Sequence, residues 1–162
     1  MTTDEALFNL RYGVNGWEKK LSIWLAPKIS GYGRFRLMPV PFRINYIDSF
    51  QNLFHLNYEF NSTNKIYYFR YSNGTEAPEY TIVPRNSKIG TLVCTDGMNG
   101  CSILIITTKK YFIFIHDNTH QLNDNNKLIL SRNLNALLRN EVVGTNCDYF
   151  GSKKLTLPQK LL

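Results

Sequence analysis

The stretch GMNGCSILIITTKKYFIFIHDN, residues 97–118, decides how the rest of the sequence is interpreted. Two apolar runs flank the polar segment Thr107–Lys110, which is typical of a β-hairpin. Both faces of the predicted strands are apolar, so we expect this hairpin to lie in the centre of a sheet that is covered on both sides. Cys101 precedes the first apolar run, and His116 follows the second.

The register of this hairpin sets the distance between the cysteine and the histidine. A turn centred between Thr108 and Lys109 predicts that Cys101 and His116 lie directly opposite each other on one face. Their Cβ atoms would then be about 4.5–5.5 Å apart. An imidazole at that distance can accept the thiol proton and activate the sulfur as a nucleophile. The alternative is a buried thiol and a histidine that merely ends a strand.

Composition and charge favour a globular, sheet-rich protein in a reducing compartment. The 162 residues include ten Tyr and ten Phe, and the formal net charge of +7 is scattered in Lys pairs rather than concentrated. The cysteines Cys94, Cys101 and Cys147 are odd in number, which is not typical of a disulfide framework. We expect no secretory signal peptide at the acidic N-terminus and no membrane-spanning segment, because no apolar run approaches about 20 residues.

The rest of the sequence predicts an α+β fold in a single domain over residues 1–162. Asp4 is a candidate cap for a helix that ends near Gly13, and the apolar stripe of 131–140 predicts a second helix. The alternating run 53–72, interrupted at 61–64, predicts a β-hairpin. Pro39 and Pro41 predict an extended segment at a sheet edge. Further strands are expected at Tyr80–Val83, Thr91–Cys94, Ser102–Ile106 and Tyr111–Ile115. Cys94 is expected in the core and Cys147 in a late polar loop.

Several other classes of site are not supported by any motif in the sequence. The cysteines show no C-x-x-C spacing. His116 and His120 are four residues apart, but His116 follows a predicted strand and His120 lies in a polar loop, so no metal site is predicted. The sequence also has no phosphate-cradling glycine loop and no G-x-S-x-G elbow. We therefore expect no metal and no cofactor.

The segment Asn99-Gly100-Cys101, with His116 on the next predicted strand, resembles the toxin-type glutamine deamidases. These include the catalytic domain of the cytotoxic necrotizing factors, the Burkholderia lethal factor and the chemoreceptor deamidase CheD. The family motif is Leu-Ser-Gly-Cys, followed by a histidine on the neighbouring strand. Gly100 and Cys101 match this motif, and Thr95 stands where the lethal factor has a threonine. The resemblance covers residues 93–118, and Met98-Asn99 replaces the Leu-Ser of the motif.

The resemblance implies a mostly antiparallel β-sandwich flanked by a few α-helices. It also implies a Cys101–His116 dyad that converts a glutamine of a target protein into glutamate. Thr95 would orient the imidazole, while Gly100 and Asn99 would shape the oxyanion and substrate-binding loop. The implied protein is a secreted or injected bacterial effector, monomeric and active in the host cytoplasm on a Rho-family GTPase or a translation-initiation helicase. It would need no nucleic acid and no membrane.

Two alternatives stay open at this point. The first is a non-catalytic module that uses a basic, aromatic-rich surface to bind a protein or a nucleic acid. The second is another thiol acyl-transfer enzyme, either a transglutaminase or a cysteine protease.

Overall fold

The computed structural model describes residues 2–13, 23–24, 38–48, 53–70, 79–95, 102–117 and 146–151. The chain divides into two compact units: Met1–Tyr68 with Ser87–Asp96, and Phe69–Asn86 with Gly97–Leu162. The described residues lie mostly in β-strands that form two sheets, accompanied by one helix. This confirms the β-rich part of the predicted fold class. The single domain over residues 1–162 stays a prediction.

The described elements follow one another along the chain as one helix and nine strands. They are α1 Thr3–Tyr12, β1 Ile23–Trp24, β2 Val40–Asp48, β3 Leu53–Tyr58, β4 Lys65–Phe69, β5 Tyr80–Pro84, β6 Leu92–Thr95, β7 Ser102–Thr107, β8 Tyr111–Asp117 and β9 Asn146–Gly151.

The N-cap of helix α1 lies two residues earlier than the sequence suggested. Thr2, rather than Asp4, is the N-cap: its hydroxyl accepts a hydrogen bond from the Glu5 amide, and the Glu5 carboxylate accepts one from the Thr2 amide. This reciprocal capping box satisfies two amides that lack partners inside the helix. Asp4 lies in the first turn, where its charge favours the helix dipole. Gly13 ends the helix, as predicted.

The first unit contains a five-stranded sheet with the strand order β1-β3-β2-β4-β6. The two strands predicted within residues 53–72 exist as β3 and β4, but the prediction that they form a hairpin is wrong. Strand β2 lies between them and pairs antiparallel with both. The alternation of apolar and polar residues specifies strands and their faces, but it does not specify which strand is the neighbour.

The predicted edge position of the proline-containing segment is also wrong, because β2 is an interior strand. Pro41 is nevertheless well accommodated, since it precedes the point at which the β2–β3 ladder begins, the pairing of Phe42 with Tyr58. The Pro41 carbonyl accepts a hydrogen bond from the Glu59 amide at 3.1 Å. Pro41 is paired with Lys65 of β4, and it lacks the N–H only beside the first residue pair of the β2–β3 ladder, so at most one bond at the end of that ladder is lost.

One face of the five-stranded sheet forms the core of the first unit. Side chains from β2, β3, β4 and β6 pack there with Ala6 of α1, and Leu7 and Leu10 extend the helix contact. Cys94 belongs to this core, as predicted. The fully buried large residues of this cluster are Phe42, Phe54, Leu56 and Ile66.

The second unit contains a four-stranded antiparallel sheet with the order β5-β8-β7-β9. The hairpin predicted from residues 97–118 forms its two central strands, β7 and β8, as expected from the apolar character of both faces. On one face, Leu104 and Ile106 lie opposite Ile115 and Ile113, and all four are buried. The opposite face carries His116 and is the face of interest for function.

Two further predictions concern the C-terminal part of the chain. Cys147 lies in strand β9, opposite Ile106, rather than in a loop. The predicted helix over residues 131–140 lies outside the described residues. Among the described residues, no helix has the length and apolar character needed to cross a membrane.

Candidate active site

His116 is the central residue of the candidate site, and it lies near the end of the interior strand β8. Its side chain is fully buried. Pairing with β7 places Ile103 directly opposite His116, and Ile105 opposite Phe114 on the same face. On the other side of β8, the His116 amide donates a hydrogen bond to the Glu79 carbonyl at 3.3 Å. The backbone of His116 is therefore held between two neighbouring segments of the same unit.

The predicted hairpin register is wrong by two residues, because the turn is centred one residue later than expected. Thr108 is the first residue of the turn rather than part of its centre. Its hydroxyl accepts hydrogen bonds from the amides of Lys110 and Tyr111, at 3.3 and 3.0 Å, and its own amide donates to the Tyr111 carbonyl. Only Lys109 and Lys110 lie between the hydrogen-bonded residues Thr108 and Tyr111. His116 therefore faces Ile103 rather than Cys101.

The other predicted site residues fall in different parts of the chain. Cys101, Gly100 and Asn99 lie outside the described residues. Cys101 directly precedes Ser102, the first residue of β7. Ser102 is paired with Asp117, the residue that follows His116 in the sequence. Thr95 is the last residue of β6 in the first unit, and its side chain is buried.

An aromatic residue that the sequence did not single out packs against the imidazole. The Phe69 ring meets His116 edge-on, with 6.4 Å between the ring centroids, and lies 6.3 Å from the Phe114 ring. Edge-on contacts of this kind are among the favoured geometries for aromatic rings. Phe69 itself is buried. These contacts restrict the rotation of the His116 ring.

A buried carboxylate lies next to His116 in the fold. The Glu79 side chain is only 4% exposed, and its Oε1 lies 3.3 Å from Nη2 of Arg70. Glu79 Oε2 accepts a hydrogen bond from the Arg70 amide at 3.0 Å. A buried carboxylate is costly unless it is paired and hydrogen-bonded, and Arg70 supplies both kinds of partner. Glu79 thus anchors its segment while its carbonyl holds the His116 backbone.

Sequence reasoning missed Phe69, Arg70 and Glu79 because each approaches His116 only through contacts between distant segments. Glu79 does so through the pairing of β5 with β8, Phe69 through ring packing from the end of β4, and Arg70 through its ion pair with Glu79. One signal was present in the sequence: Glu79 directly precedes the apolar run of β5, where an acidic residue is unusual unless it is paired. That signal identifies a buried charge, but it does not identify the partner.

The described residues include no group of three or more His, Cys, Asp or Glu side chains that can hold a metal ion. No protein-family model matches the sequence, and no curated protein matches it at a significant level. What the described geometry offers is an imidazole with a fixed backbone and a packed ring. Such a group can accept and return a proton if a donor reaches it.

Proposed function

We propose that the chain is a cysteine-dependent protein-glutamine deamidase with Cys101 as nucleophile and His116 as general base and acid. The observation that supports this proposal most strongly is the place of His116. His116 is buried on the interior strand β8. The paired strand β7 begins at Ser102, the residue that directly follows Cys101 in the sequence. A base with no exposed surface exchanges protons with groups inside the protein, and Cys101 is the cysteine that precedes the paired strand β7 in the sequence.

The proposed reaction has two halves. In the first, His116 accepts the proton of the Cys101 thiol, and the thiolate attacks the carboxamide carbon of a glutamine side chain. The backbone amides of Gly100 and Cys101 donate hydrogen bonds to the oxyanion. His116 returns the proton to the nitrogen, the C–N bond breaks, and ammonia leaves a thioester behind.

In the second half, His116 accepts a proton from a water molecule that attacks the thioester carbon. The C–S bond then breaks, the sulfur regains a proton, and the product is a glutamate side chain. The roles of Thr95 in orienting the imidazole and of Asn99 in the substrate loop are those that the resemblance implies. Deamidation converts a neutral donor and acceptor into an anion that only accepts hydrogen bonds, which is a large change at a functional glutamine.

The fold and biology that the resemblance implies belong to the same proposal. They are a mostly antiparallel sandwich with flanking helices and a monomeric bacterial effector that acts in a host cytoplasm. A Rho-family GTPase is a suitable substrate, since a glutamine that orients the attacking water is needed for its hydrolysis of GTP. A translation-initiation helicase is the other candidate.

The test is proteomics of host-cell lysate treated with wild type, Cys101→Ala, His116→Asn or Cys147→Ala. Replacing the amide NH2 by OH raises the mass of a glutamine side chain by about one dalton. We expect new Gln-to-Glu sites with wild type and Cys147→Ala, and none with the other two variants. Sites that persist with Cys101→Ala would refute the proposal. A gain of a whole amine would indicate a transglutaminase, and new chain termini would indicate a protease.

A further inference from the structure

A basic cleft lies at the end of the second unit's sheet where β5 ends and β7 turns into β8. The cleft has a volume of about 440 Å³ and is lined by Pro84, Arg85, Asn86, Lys109, Lys110 and Tyr111. This volume is in the range of sites that hold small molecules. His116 lies five residues further along β8, about 17 Å away at the rise of an extended strand. The cleft is therefore separate from the candidate active site.

The lining of this cleft carries positive charge only. It includes three cationic side chains, Arg85, Lys109 and Lys110, and no acidic one. The Asn86 amide and the Tyr111 hydroxyl add further hydrogen-bond donors. Pro84 is the one lining residue without a polar side chain. A ligand that only accepts hydrogen bonds and carries several negative charges matches such a surface best.

Arg85 is held in place by three contacts. Its amide donates to the Lys110 carbonyl at 2.8 Å, and its Nη1 donates to the Thr108 carbonyl at 3.0 Å. Its guanidinium carbon lies 5.6 Å from the centre of the Phe112 ring. The bond to Thr108 uses one of the five guanidinium N–H donors, and the planar group is suited to bidentate contact with an oxyanion.

The backbone of the two lysines is also held in place, although Lys-Lys is a poor sequence for a tight turn. Two-residue hairpin turns favour Asn-Gly or Asp-Gly, because these residues adopt the required backbone angles easily. Here the turn is stabilised by Thr108, whose fully buried side chain binds the amides of Lys110 and Tyr111. Adjacent like charges at a position where turn chemistry prefers other residues are typical of a functional surface.

We propose that this cleft binds the phosphate groups of a small polyphosphate ester. Phosphate groups offer several acceptor oxygens and more than one negative charge, so they match three cations better than a single carboxylate does. Because the Arg85 guanidinium and the backbone of the lysine turn are fixed before binding, less ordering is required when the ligand arrives. This inference does not depend on the proposed deamidase activity.

The test is calorimetric titration of the full chain with inorganic pyrophosphate at low salt. The variants are Lys109→Ala/Lys110→Ala and the matched control Lys65→Ala/Lys88→Ala, which removes two exposed lysines from the first unit. We expect the first double variant to raise the Kd by about tenfold or more and the control to change it by less than about twofold. All four lysines are exposed, so both variants should keep the wild-type melting temperature.

Three results would overturn the proposal. They are the absence of binding to wild type at about 1 mM pyrophosphate, an equal loss in both double variants, and tighter binding of a DNA duplex that depends on the same two lysines. The first would leave no site, the second would indicate a diffuse charge effect, and the third a nucleic-acid surface. Should Lys109→Ala/Lys110→Ala fail to fold, Lys109→Gln alone must still weaken binding.

Two further probes identify the source of the phosphate. Titration with adenosine triphosphate tests a free ligand, and sedimentation with vesicles that contain phosphatidylinositol bisphosphate tests a lipid headgroup. Binding of either probe that is lost in Lys109→Ala/Lys110→Ala supports the proposal and assigns the source. If the Lys109→Ala/Lys110→Ala variant still binds both probes, the proposal is contradicted.

Discussion

Replacing Thr108 by valine should destabilise the protein by about 2–3 kcal/mol, although the two side chains have similar shapes. The Thr108 hydroxyl makes three hydrogen bonds: it accepts from the amides of Lys110 and Tyr111 and donates to the Tyr111 carbonyl. Each such bond contributes about 0.5–1.5 kcal/mol net, and an amide left without a partner adds to the loss. The side chain is fully buried, so water cannot replace the hydroxyl without a rearrangement.

The assay is equilibrium unfolding in urea, in which a loss of this size lowers the midpoint by about 1 M or more. Thr107→Val is the matched control, because Thr107 is the neighbouring threonine, lies within β7 and is only partly buried. We expect its free energy of unfolding to change by less than about 0.5 kcal/mol. Equal midpoints for Thr108→Val and Thr107→Val would refute the role assigned to the Thr108 hydroxyl in fixing the hairpin register.

Two further predictions use matched pairs in which one member is buried and the other exposed. Glu79→Gln should lower the free energy of unfolding in urea by about 1–3 kcal/mol, because it breaks an ion pair whose carboxylate is buried. Glu59 lies 3.6 Å from Arg43 in an exposed pair, and Glu59→Gln should lower it by less than about 0.5 kcal/mol. Phe54→Ala should cost about 3–5 kcal/mol by the same measurement, and Phe60→Ala, 79% exposed, should be nearly neutral. Similar losses within either pair would contradict the burial on which that prediction is based.

The positions of the strands were easier to predict than the partners with which they pair. The strands of residues 97–118 and β3, β4, β5 and β6 were all indicated by short apolar or alternating runs. The predicted pairing of β3 with β4 is wrong, because a strand from an earlier part of the chain, β2, lies between them and pairs with both. Strand order depends on contacts between residues far apart in sequence, and the pattern within one strand carries no information about them.

The candidate site shows the same limit on a smaller scale. The sequence singled out His116 and expected it on a central hairpin, and the structure places it there. The expected partner across the hairpin was wrong because one hydroxyl, that of Thr108, moved the turn by one residue. Tight-turn preferences are weak for Thr and Lys, so local sequence did not distinguish the two registers. Glu79 and Phe69 reach His116 only through tertiary packing.

The central claim, that Cys101 and His116 form a reactive pair, is tested most directly by the rate of thiol alkylation. Wild type and His116→Asn are treated with iodoacetamide near pH 6, and the modified cysteine is located by mass spectrometry. Only the thiolate reacts, so a neighbouring imidazole that accepts the proton speeds alkylation. We predict that Cys101 reacts about tenfold or more faster in wild type than in His116→Asn, and faster than the buried Cys94. Equal rates for Cys101 in the two proteins would contradict the pair.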